Sequence, residues 1–293
     1  MGEQVLVLCS DTRVTIPNLA SNDNATKLET IGPLRILIAD NAARAKELLA
    51  VITEHVNEEK IADDSTVGKL KAAATTHKRN LLDEYFGLTW GVDYNGYLAG
   101  TLNHLPEDVL SRIAREVEQL HFECQLIITA HTKTGFRLFT MDSRGTILEA
   151  DDYVVIGSGL WIAQASLGQR QYSRYHHVSL ASYLIYEAKR LAENEPTVGK
   201  TTNMWLIHHR HAKVVPAFIN GSCLQISPSG ISTQGPDVFE KLFGLYGPQR
   251  LPVEIPFPVL WPTAVPEVPL LEEHTQTNVS GTAASGGSRE TEK

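Results

Sequence analysis

Residues 153–167 read Tyr153-Val-Val-Ile-Gly-Ser-Gly-Leu-Trp-Ile-Ala-Gln-Ala-Ser-Leu167, and the rest of the chain is interpreted around this stretch. The three β-branched residues before the first glycine are typical of a strand that is buried on both faces. Gly157 and Gly159 permit a sharp turn because neither carries a Cβ atom. The small residues that follow predict a helix over residues 160–168. The stretch therefore predicts a buried strand, a tight turn and a helix.

The hydroxyl of Ser158 lies at the start of the predicted helix. One interpretation is that this hydroxyl caps the helix by accepting a backbone amide hydrogen. The other is that it orients a reacting group beside the turn. A Gly-Ser-Gly turn alone does not decide between the two.

Apolar runs and turn residues predict further strands and helices on both sides of this turn. The predicted strands cover residues 4–10, 27–31, 34–39, 124–131, two segments within 135–149, and 203–209. The predicted helices cover residues 42–56, 64–82, 106–123, 178–192 and, after a weakly organised stretch, 238–245. Residues 85–102 are predicted to be a loop with strand character. Residues 252–269 are rich in proline and should be extended.

Composition favours an ordinary soluble globular protein, with 42% hydrophobic and 20% charged residues. A net charge of −8 and a pI near 5.8 give no support for a nucleic-acid partner. The chain shows neither a signal peptide nor an apolar run long enough to span a membrane, so no membrane partner is predicted. Its three cysteines, Cys9, Cys124 and Cys223, form no CxxC pair, which suits a reducing compartment. We expect a cytoplasmic protein.

The ordered set Ser10-Asp-Thr-Arg13, Lys27, an alanine-rich helix from Ala42 and Ile156-Gly-Ser-Gly159 resembles the proteasome subunit family. This family includes the bacterial proteasome-like proteins and belongs to the N-terminal-nucleophile (Ntn) hydrolases. The resemblance runs from residue 4 to about residue 206. It implies an α+β fold, a four-layer αββα sandwich over residues 1–212. A proline-rich extension over residues 213–269 and a disordered tail over residues 270–293 would follow.

In the family, the nucleophile is an N-terminal threonine freed by removal of a propeptide, and its own amine serves as the base. The resemblance implies that Asp11 and Lys27 occupy the acidic and lysine positions beside it. Ser158 would help to order the N-terminal group, and Glu195 stands where the family has a second aspartate. The implied structural positions are Arg13, Gly157 and Gly159.

Three positions depart from the family pattern. The family threonine lies about sixteen residues before the aspartate, whereas this chain has ten residues before Asp11, so no residue occupies the nucleophile position. The glycine whose amide usually stabilises the oxyanion falls near Asp40, with one residue of gap, and a carboxylate there would repel developing negative charge. Val198 replaces a serine that completes the family's hydrogen-bond network.

Three interpretations of function follow from these departures. The chain is a threonine-type peptidase whose start lies upstream of Met1, or a non-catalytic structural or scaffold subunit, or a fold reused for binding. The resemblance implies self-association into a homo-oligomer or ring, with a peptide or protein substrate for the enzymatic form. The helices over residues 42–56 and 160–168 are candidate contact surfaces.

Two weaker signals do not predict a metal or nucleotide cofactor. His208-His-Arg-His211 and His176-His177 lack a clear ligand spacing, because successive strand residues point to opposite faces. Lys200-Thr-Thr follows Gly199 but lacks the earlier glycine of a phosphate-binding loop. No cofactor is therefore predicted.

Overall fold

The computed structural model describes residues 4–13, 27–56, 62–209, 214–219, 222–227 and 230–234. Within these ranges the chain is of mixed α+β class, as the sequence predicts, with six helices and two sheets. The strands are β1 (Val5–Asp11), β2 (Leu28–Ile31), β3 (Leu34–Asp40), β4 (Cys124–His131), β5 (Phe136–Met141), β6 (Ile147–Ala150), β7 (Thr202–His208), β8 (Val214–Ile219), β9 (Ser222–Ser227) and β10 (Gly230–Gln234). The helices are α1 (Ala42–Val56), α2 (Ser65–Trp90), α3 (Tyr94–Leu98), α4 (Glu107–Glu118), α5 (Leu160–Gln169) and α6 (Val178–Ala192).

The two sheets have five antiparallel strands each. The first has the order β1-β7-β8-β9-β10 and the second the order β2-β3-β4-β5-β6. Strand β1 lies at an edge of the first sheet and pairs with β7, so that Asp11 is opposite Thr202. Among the described strands, none pairs with the outer edge of β1. That edge presents backbone groups on which a further strand can pair.

The second sheet buries different side chains on its two faces, because successive strand residues point in opposite directions. Leu34 and Ile36 of β3 pack against α1 and α2 in the largest hydrophobic cluster. Leu37, one residue further on, contacts a cluster that includes Trp205 and Ile207 of the first sheet. This second cluster ties the two sheets together.

The first sheet also packs against α5 and α6. Met204 of β7 is buried in a cluster with Tyr183 and Tyr186 of α6 and Leu167 of α5. Cys9 of β1 packs against the same cluster as a small apolar residue. Helix α6 thus lies against β1, the strand that carries Asp11.

Most of the predicted elements are confirmed within one or two residues. The predicted helix over residues 178–192 matches α6, and the strands over 27–31 and 34–39 match β2 and β3. Asn41 caps α1, because its Oδ1 accepts the amide hydrogens of Ala43 at 3.1 Å and Arg44 at 3.3 Å. The predicted helix over residues 106–123 is shorter in the structure and ends at Glu118.

The prediction of a loop with strand character over residues 85–102 is wrong. Helix α2 continues to Trp90 and ends where Gly91 adopts the left-handed conformation, with φ 68°. Helix α3 then covers Tyr94–Leu98. Phe86 is fully buried and stacks on Tyr97, with ring centroids 4.4 Å apart. The aromatic residues stabilise the helices by packing on one another, and their strand preference does not decide the structure.

The prediction of a buried strand at residues 153–156 is also wrong. This segment is outside both sheets, and its four side chains are only half-buried. Its side chains still alternate: Val154 and Ile156 pack on the cluster between the sheets, while Tyr153 and Val155 pack on the α5–α6 cluster. The β-branched residues 154–156 therefore pack on two different clusters, although no described strand pairs with them.

The first sheet has three more strands after β7, which corresponds to the last strand that the sequence predicts. Strand β8 pairs with β7, and β9 and β10 follow it in order. The predicted helix over residues 238–245, the proline-rich segment and the tail lie outside the described residues.

No helix in the described part of the chain combines the length and apolar character that crossing a membrane requires. Likewise, the described ranges contain no group of three or more histidine, cysteine, aspartate or glutamate side chains arranged to hold a metal ion.

Removing the imidazole of His77 should abolish part of the acid sensitivity of folding. His77 is buried edge-on against Phe122, and its Nε2 has no hydrogen-bond partner among the residues that the structure describes. Burial lowers its pKa, so the unfolded chain binds the proton more readily and stability falls as the pH drops below about 6.5. We expect His77→Leu to flatten the decline between pH 7 and pH 5 in urea unfolding, and His104→Leu, which removes an exposed imidazole, is the comparison variant. Equal slopes for the two variants would contradict this assignment.

Candidate functional site

The carboxylate of Asp11, at the end of β1, holds two other segments of the chain. Its Oδ1 pairs with the ammonium of Lys27, and its Oδ2 accepts the backbone amide of Gly199 at 2.9 Å. The two side chains of the ion pair are only 12% and 16% exposed. Charge-assisted bonds of this kind are stronger than neutral ones, so Asp11 fixes the approach of the segment before β2 and the loop before β7.

Gly199 is closely packed at this contact. A Cβ atom on it would lie 2.7 Å from the Cβ of Arg13 and 3.0 Å from the Arg13 backbone nitrogen. The guanidinium of Arg13 in turn donates to the carbonyl of Pro196 at 3.0 Å. The loop over residues 195–199 is thus held against the end of β1 from both ends.

The Gly-Ser-Gly turn lies against the same loop and against the end of β3. Gly157 has φ 87°, and a Cβ on it would contact the Cβ of Ala39 at 3.4 Å. At Gly159 a Cβ would lie 2.8 Å from the Cβ of Ala192 and 3.0 Å from Cγ2 of Val198. Both glycines therefore permit a close approach that places the residue between them at the site.

The helix-capping interpretation of Ser158 is wrong. The N-cap residue of α5 is Gly159, and no side chain caps that helix. The hydroxyls of Ser158 and Thr197 are instead hydrogen-bonded at 2.7 Å. The hydroxyl of Thr197 also donates to Oε1 of Glu195 at 3.2 Å. The three side chains form a chain of hydrogen bonds that ends on a carboxylate.

Thr197 is a site residue that sequence reasoning missed. The resemblance to the family implies a role for position 198, where Val198 replaces a serine, but it implies none for Thr197. The signal in the sequence was a hydroxyl residue two positions after the glutamate, which is too common a pattern to single out. Only the turn over residues 195–198, closed by a 3.0 Å bond from the Val198 amide to the Glu195 carbonyl, brings Thr197 to Ser158.

A second group of charges lies near Asp11, at the C-terminal end of α6 and on the residue that follows it. Glu193 pairs with both Lys189 and Arg190, and the side chains of Lys189 and Glu193 are buried. Burial lowers the pKa of Lys189. Burial also raises the pKa of nearby Cys9 to about 12, which excludes it as a thiolate nucleophile near neutral pH. The spacing of four residues between Lys189 and Glu193 is evident in the sequence, but the burial of this ion pair is not.

Asp40 lies where the family resemblance implies the glycine whose amide stabilises the oxyanion, and its backbone conformation can be compared with that of a glycine. Asp40 adopts the left-handed conformation with φ 68°, which glycine adopts more readily than other residues. Its side chain is exposed. The backbone amide of the next residue, Asn41, donates to the Glu123 carbonyl at 3.0 Å. That amide is therefore already engaged in a backbone hydrogen bond.

The histidines that sequence analysis weighed as metal ligands are engaged in other contacts. The ring of His209 lies 5.0 Å from that of His131, and its Nε2 is 2.9 Å from the carbonyl of Thr132. The ring of His176 packs edge-on against Tyr172, with centroids 5.9 Å apart. His211 lies outside the described residues.

The structure thus brings the predicted positions Asp11, Lys27, Ser158, Glu195 and Arg13 to one end of β1, together with the glycine turn. Direct hydrogen bonds join Asp11 to Lys27 and, separately, Thr197 to both Ser158 and Glu195. The loop that carries Glu195 and Thr197 links the second set to Asp11 through the amide of Gly199. Such a set suits the orientation of a nucleophile and the control of its proton, once a nucleophile is placed beside it.

Comparison with known proteins gives structural likeness only. No family model matches the chain, and no curated protein was found to be similar to it. A structure of Anbu from Yersinia bercovieri, described as an ancestral β-subunit, has a TM-score of 0.50 at 16% identity and covers 83% of this chain and 90% of its own. A mutant of Anbu from Hyphomicrobium sp. strain MC1 has a TM-score of 0.50 at 16% identity and covers 82% of this chain and 87% of its own.

The HslV structure from Trypanosoma brucei has a TM-score of 0.46 at 17% identity and covers 71% of this chain and 97% of its own. The two Anbu structures show that this chain has a proteasome-like fold. The α+β class and the resemblance to proteasome-type proteins are confirmed for the fold.

Proposed function

We propose that this chain is a proteasome-type Ntn hydrolase that cleaves peptide bonds, with its nucleophile at the start of a strand paired on the outer edge of β1. One observation carries the proposal. Asp11, bonded to both Lys27 and the amide of Gly199, lies at the end of an edge strand, and Thr197, two residues before Gly199, is bonded to the hydroxyl of Ser158. This arrangement also suits the control of charge around a reacting group placed next to it.

The geometry of an antiparallel hairpin supports this position for the nucleophile. Paired residues of a hairpin lie at equal distances from its turn. A strand that enters β1 through a tight turn just before Val5 would run along the outer edge of β1. A residue about sixteen positions before Asp11 would then lie opposite Asp11. This is the distance at which the family carries its threonine.

The residues at this position have clear chemical roles in the proposal. The hydroxyl of an N-terminal threonine attacks the carbonyl carbon of a peptide bond, and its proton passes to the terminal amine, whose pKa is about 7.7 to 8.0. The ammonium of Lys27, fixed by Asp11, stabilises the negative charge that develops on the hydroxyl oxygen. Ser158, Thr197 and Glu195 hold the amine. The C–N bond of the tetrahedral intermediate then breaks, and the leaving amine takes up the proton that the terminal amine holds. Water, which gives a proton to the terminal amine, attacks the resulting ester and releases the acyl group as a carboxylic acid and the threonine hydroxyl.

The wider organisation of the chain is part of the same proposal. The three hydrophobic clusters support a four-layer order of α1–α2, second sheet, first sheet and α5–α6. Trp161 on α5 is 77% exposed, which supports α5 as a contact surface in a homo-oligomer or ring. The division of the chain at residue 212 and a cytoplasmic location remain predictions.

N-terminal sequencing and intact mass of the protein from its native cells test the proposal. We expect a mature chain that begins with threonine, serine or cysteine about sixteen residues before Asp11. That chain should hydrolyse fluorogenic peptides and be acylated on its first residue. A chain that begins at Met1 or Gly2 would rule out N-terminal catalysis at this site.

A second candidate function, that of a non-catalytic scaffold subunit, is favoured by the oxyanion position. Asp40 places a carboxylate there, and the Asn41 amide is bonded to Glu123. Both features oppose the stabilisation of an oxyanion. A scaffold subunit should form a defined oligomer by native mass spectrometry, lack peptide hydrolysis, and gain none from Asp40→Gly. An active chain whose rate rises with Asp40→Gly would instead favour the hydrolase.

A further inference from the structure

We infer that Lys189 is a positioning residue of the site, because its buried ammonium attracts the Asp11 carboxylate from the α6 side and favours the charged form that binds Lys27 and Gly199. Neither the sequence motifs nor the family resemblance assigns a role in the site to any residue of α6. Where peptide hydrolysis is measured, the inference rests on the proposed function. Its main test measures stability and does not depend on that function.

Helix α6 covers the face of β1 from which the side chain of Asp11 leaves the strand. Cys9 and Asp11 are two positions apart, so their side chains leave β1 on the same face. Cys9 packs against the cluster that Ala188 and Ala192 help to form, and α6 contacts β1. Lys189 lies in the last turn of α6, between these two alanines in sequence. The last turn of α6 therefore lies on the side of β1 that carries Asp11.

Water is largely excluded from the ammonium of Lys189. Lys189 forms an ion pair with Glu193, four positions further on, and both side chains are 8% exposed. Arg190 binds the other carboxylate oxygen of Glu193. Burial lowers the pKa of Lys189, whereas the charges of Glu193 and Asp11 act to raise it. Since water screens such buried charges only weakly, Lys189 and Glu193 both act on Asp11.

The signs of the surrounding charges decide what each residue does to Asp11. The charged side chains of this region include Lys27, Arg13, Glu195, Lys189, Arg190 and Glu193, and Lys200, beside Gly199, is exposed. The Asp11 carboxylate is attracted by Lys189 and repelled by Glu193. Loss of either partner breaks the same ion pair, but the two losses change the potential at Asp11 in opposite directions. An ion pair that only stabilises α6 would not show this difference.

The test measures the effect of Asp11→Asn on urea unfolding at pH 7, in the wild-type chain and in variants of α6 and the residue that follows it. In Lys189→Met, the repulsion from Glu193 is all that Asp11→Asn removes on the α6 side. We therefore expect Asp11→Asn to raise the unfolding equilibrium constant about threefold less than in the wild type. In Glu193→Gln, Asp11→Asn removes an attraction to Lys189 that no repulsion offsets, so the increase should be about threefold greater. The destabilisation by Asp11→Asn should thus be largest in Glu193→Gln and smallest in Lys189→Met.

Two control variants leave the charge near Asp11 unchanged. Lys189→Arg retains the positive charge, so Asp11→Asn should have its wild-type effect. Arg112→Met breaks an exposed ion pair of the same spacing, with Glu116 on α4, and should also leave that effect unchanged. Equal effects of Asp11→Asn in Lys189→Met and Glu193→Gln, or the reverse order, overturn the inference. If Lys189→Met does not fold, an effect in Glu193→Gln no greater than in the wild type overturns it.

A mature chain with an N-terminal nucleophile provides a second readout, the pH profile of kcat/KM for peptide hydrolysis. Lys189→Met should move the acid limb to higher pH by about half a unit, because loss of a positive charge makes the terminal amine easier to protonate. Lys189→Arg should leave the limb in place. An active chain whose acid limb does not move in Lys189→Met overturns the role of Lys189 in hydrolysis. A chain that hydrolyses no peptide at any pH contradicts the proposed function alone, and the order of the Asp11→Asn effects still decides the inference.

Discussion

Replacing Arg170 by methionine should lower the free energy of unfolding by about 3–5 kcal/mol. Arg170 follows α5, and its Nε and Nη2 donate to the two carboxylate oxygens of Glu187 on α6 at 2.9 and 2.6 Å. Glu187 is completely buried, and Arg170 is 18% exposed. Without the guanidinium, a carboxylate would be left inside the α5–α6 packing without its charged partner. The loss is a large part of the 5–15 kcal/mol that stabilises a typical protein.

The surface of the second sheet provides a matched control. Arg137 also donates to both oxygens of a glutamate, Glu149, at 2.8 Å each, but Glu149 is 48% exposed. Arg137→Met should cost less than about 1 kcal/mol, because water replaces the lost partner. Urea unfolding followed by circular dichroism measures both. Similar losses for the two variants would show that burial of Glu187 does not set the effect.

A double replacement tests whether the unpaired carboxylate of Glu187 causes the loss of stability in Arg170→Met. In Arg170→Met with Glu187→Leu, neither charge is present, so most of the stability should return. The double variant should therefore unfold nearer to the wild type than to Arg170→Met. If it is less stable than the single variant, packing and not the unpaired charge accounts for the loss.

Replacing Lys27 by methionine should lower the rate of peptide hydrolysis by about a hundredfold or more in the mature, active form of the proposed enzyme. Methionine retains the length of the side chain but removes the ammonium that Asp11 holds. The developing negative charge on the nucleophile then has no fixed cation nearby. The chain should remain folded, because Asp11 keeps its bond from the Gly199 amide.

Lys133→Met, on an exposed turn, is the control for loss of a lysine at the surface. Peptide hydrolysis by this variant should match the wild type. Circular dichroism of both variants at the assay temperature separates loss of chemistry from loss of fold. Hydrolysis by Lys27→Met at more than a tenth of the wild-type rate would exclude Lys27 from the role proposed for it.

Local patterns determined most of the helices and strands. Helix α6 was predicted from the spacing of its apolar residues, and β2 and β3 from two short apolar runs around Gly32-Pro33. These elements satisfy their backbone groups locally or with a neighbour in sequence, so short-range patterns are sufficient. The way in which these elements pack into one fold was predicted from the resemblance of an ordered set of motifs to the proteasome subunit family.

Two segments were misjudged because their structure depends on distant partners. Residues 153–156 have the composition of a strand, but in the structure no other strand pairs with this segment, within the described residues. Their side chains are buried by two different clusters instead. The end of α2 is rich in aromatic residues, and the helix persists there because Phe86 is buried against Tyr97 of α3. In both segments the burial of side chains determines the structure, and the preference of the residues for β-strands does not.

The order and spacing of residues in the amino-acid sequence predict Asp11, Lys27, Ser158 and Glu195 as positions of the site, through the resemblance to a family of proteins. The contacts between these side chains are visible only in the folded chain. The tertiary structure turned Ser158 away from capping α5 and towards Thr197, and it placed the paired charges at the end of α6 near Asp11. The physical reason is that hydrogen bonds and ion pairs act over a few ångströms, between residues that the chain separates by up to 188 positions.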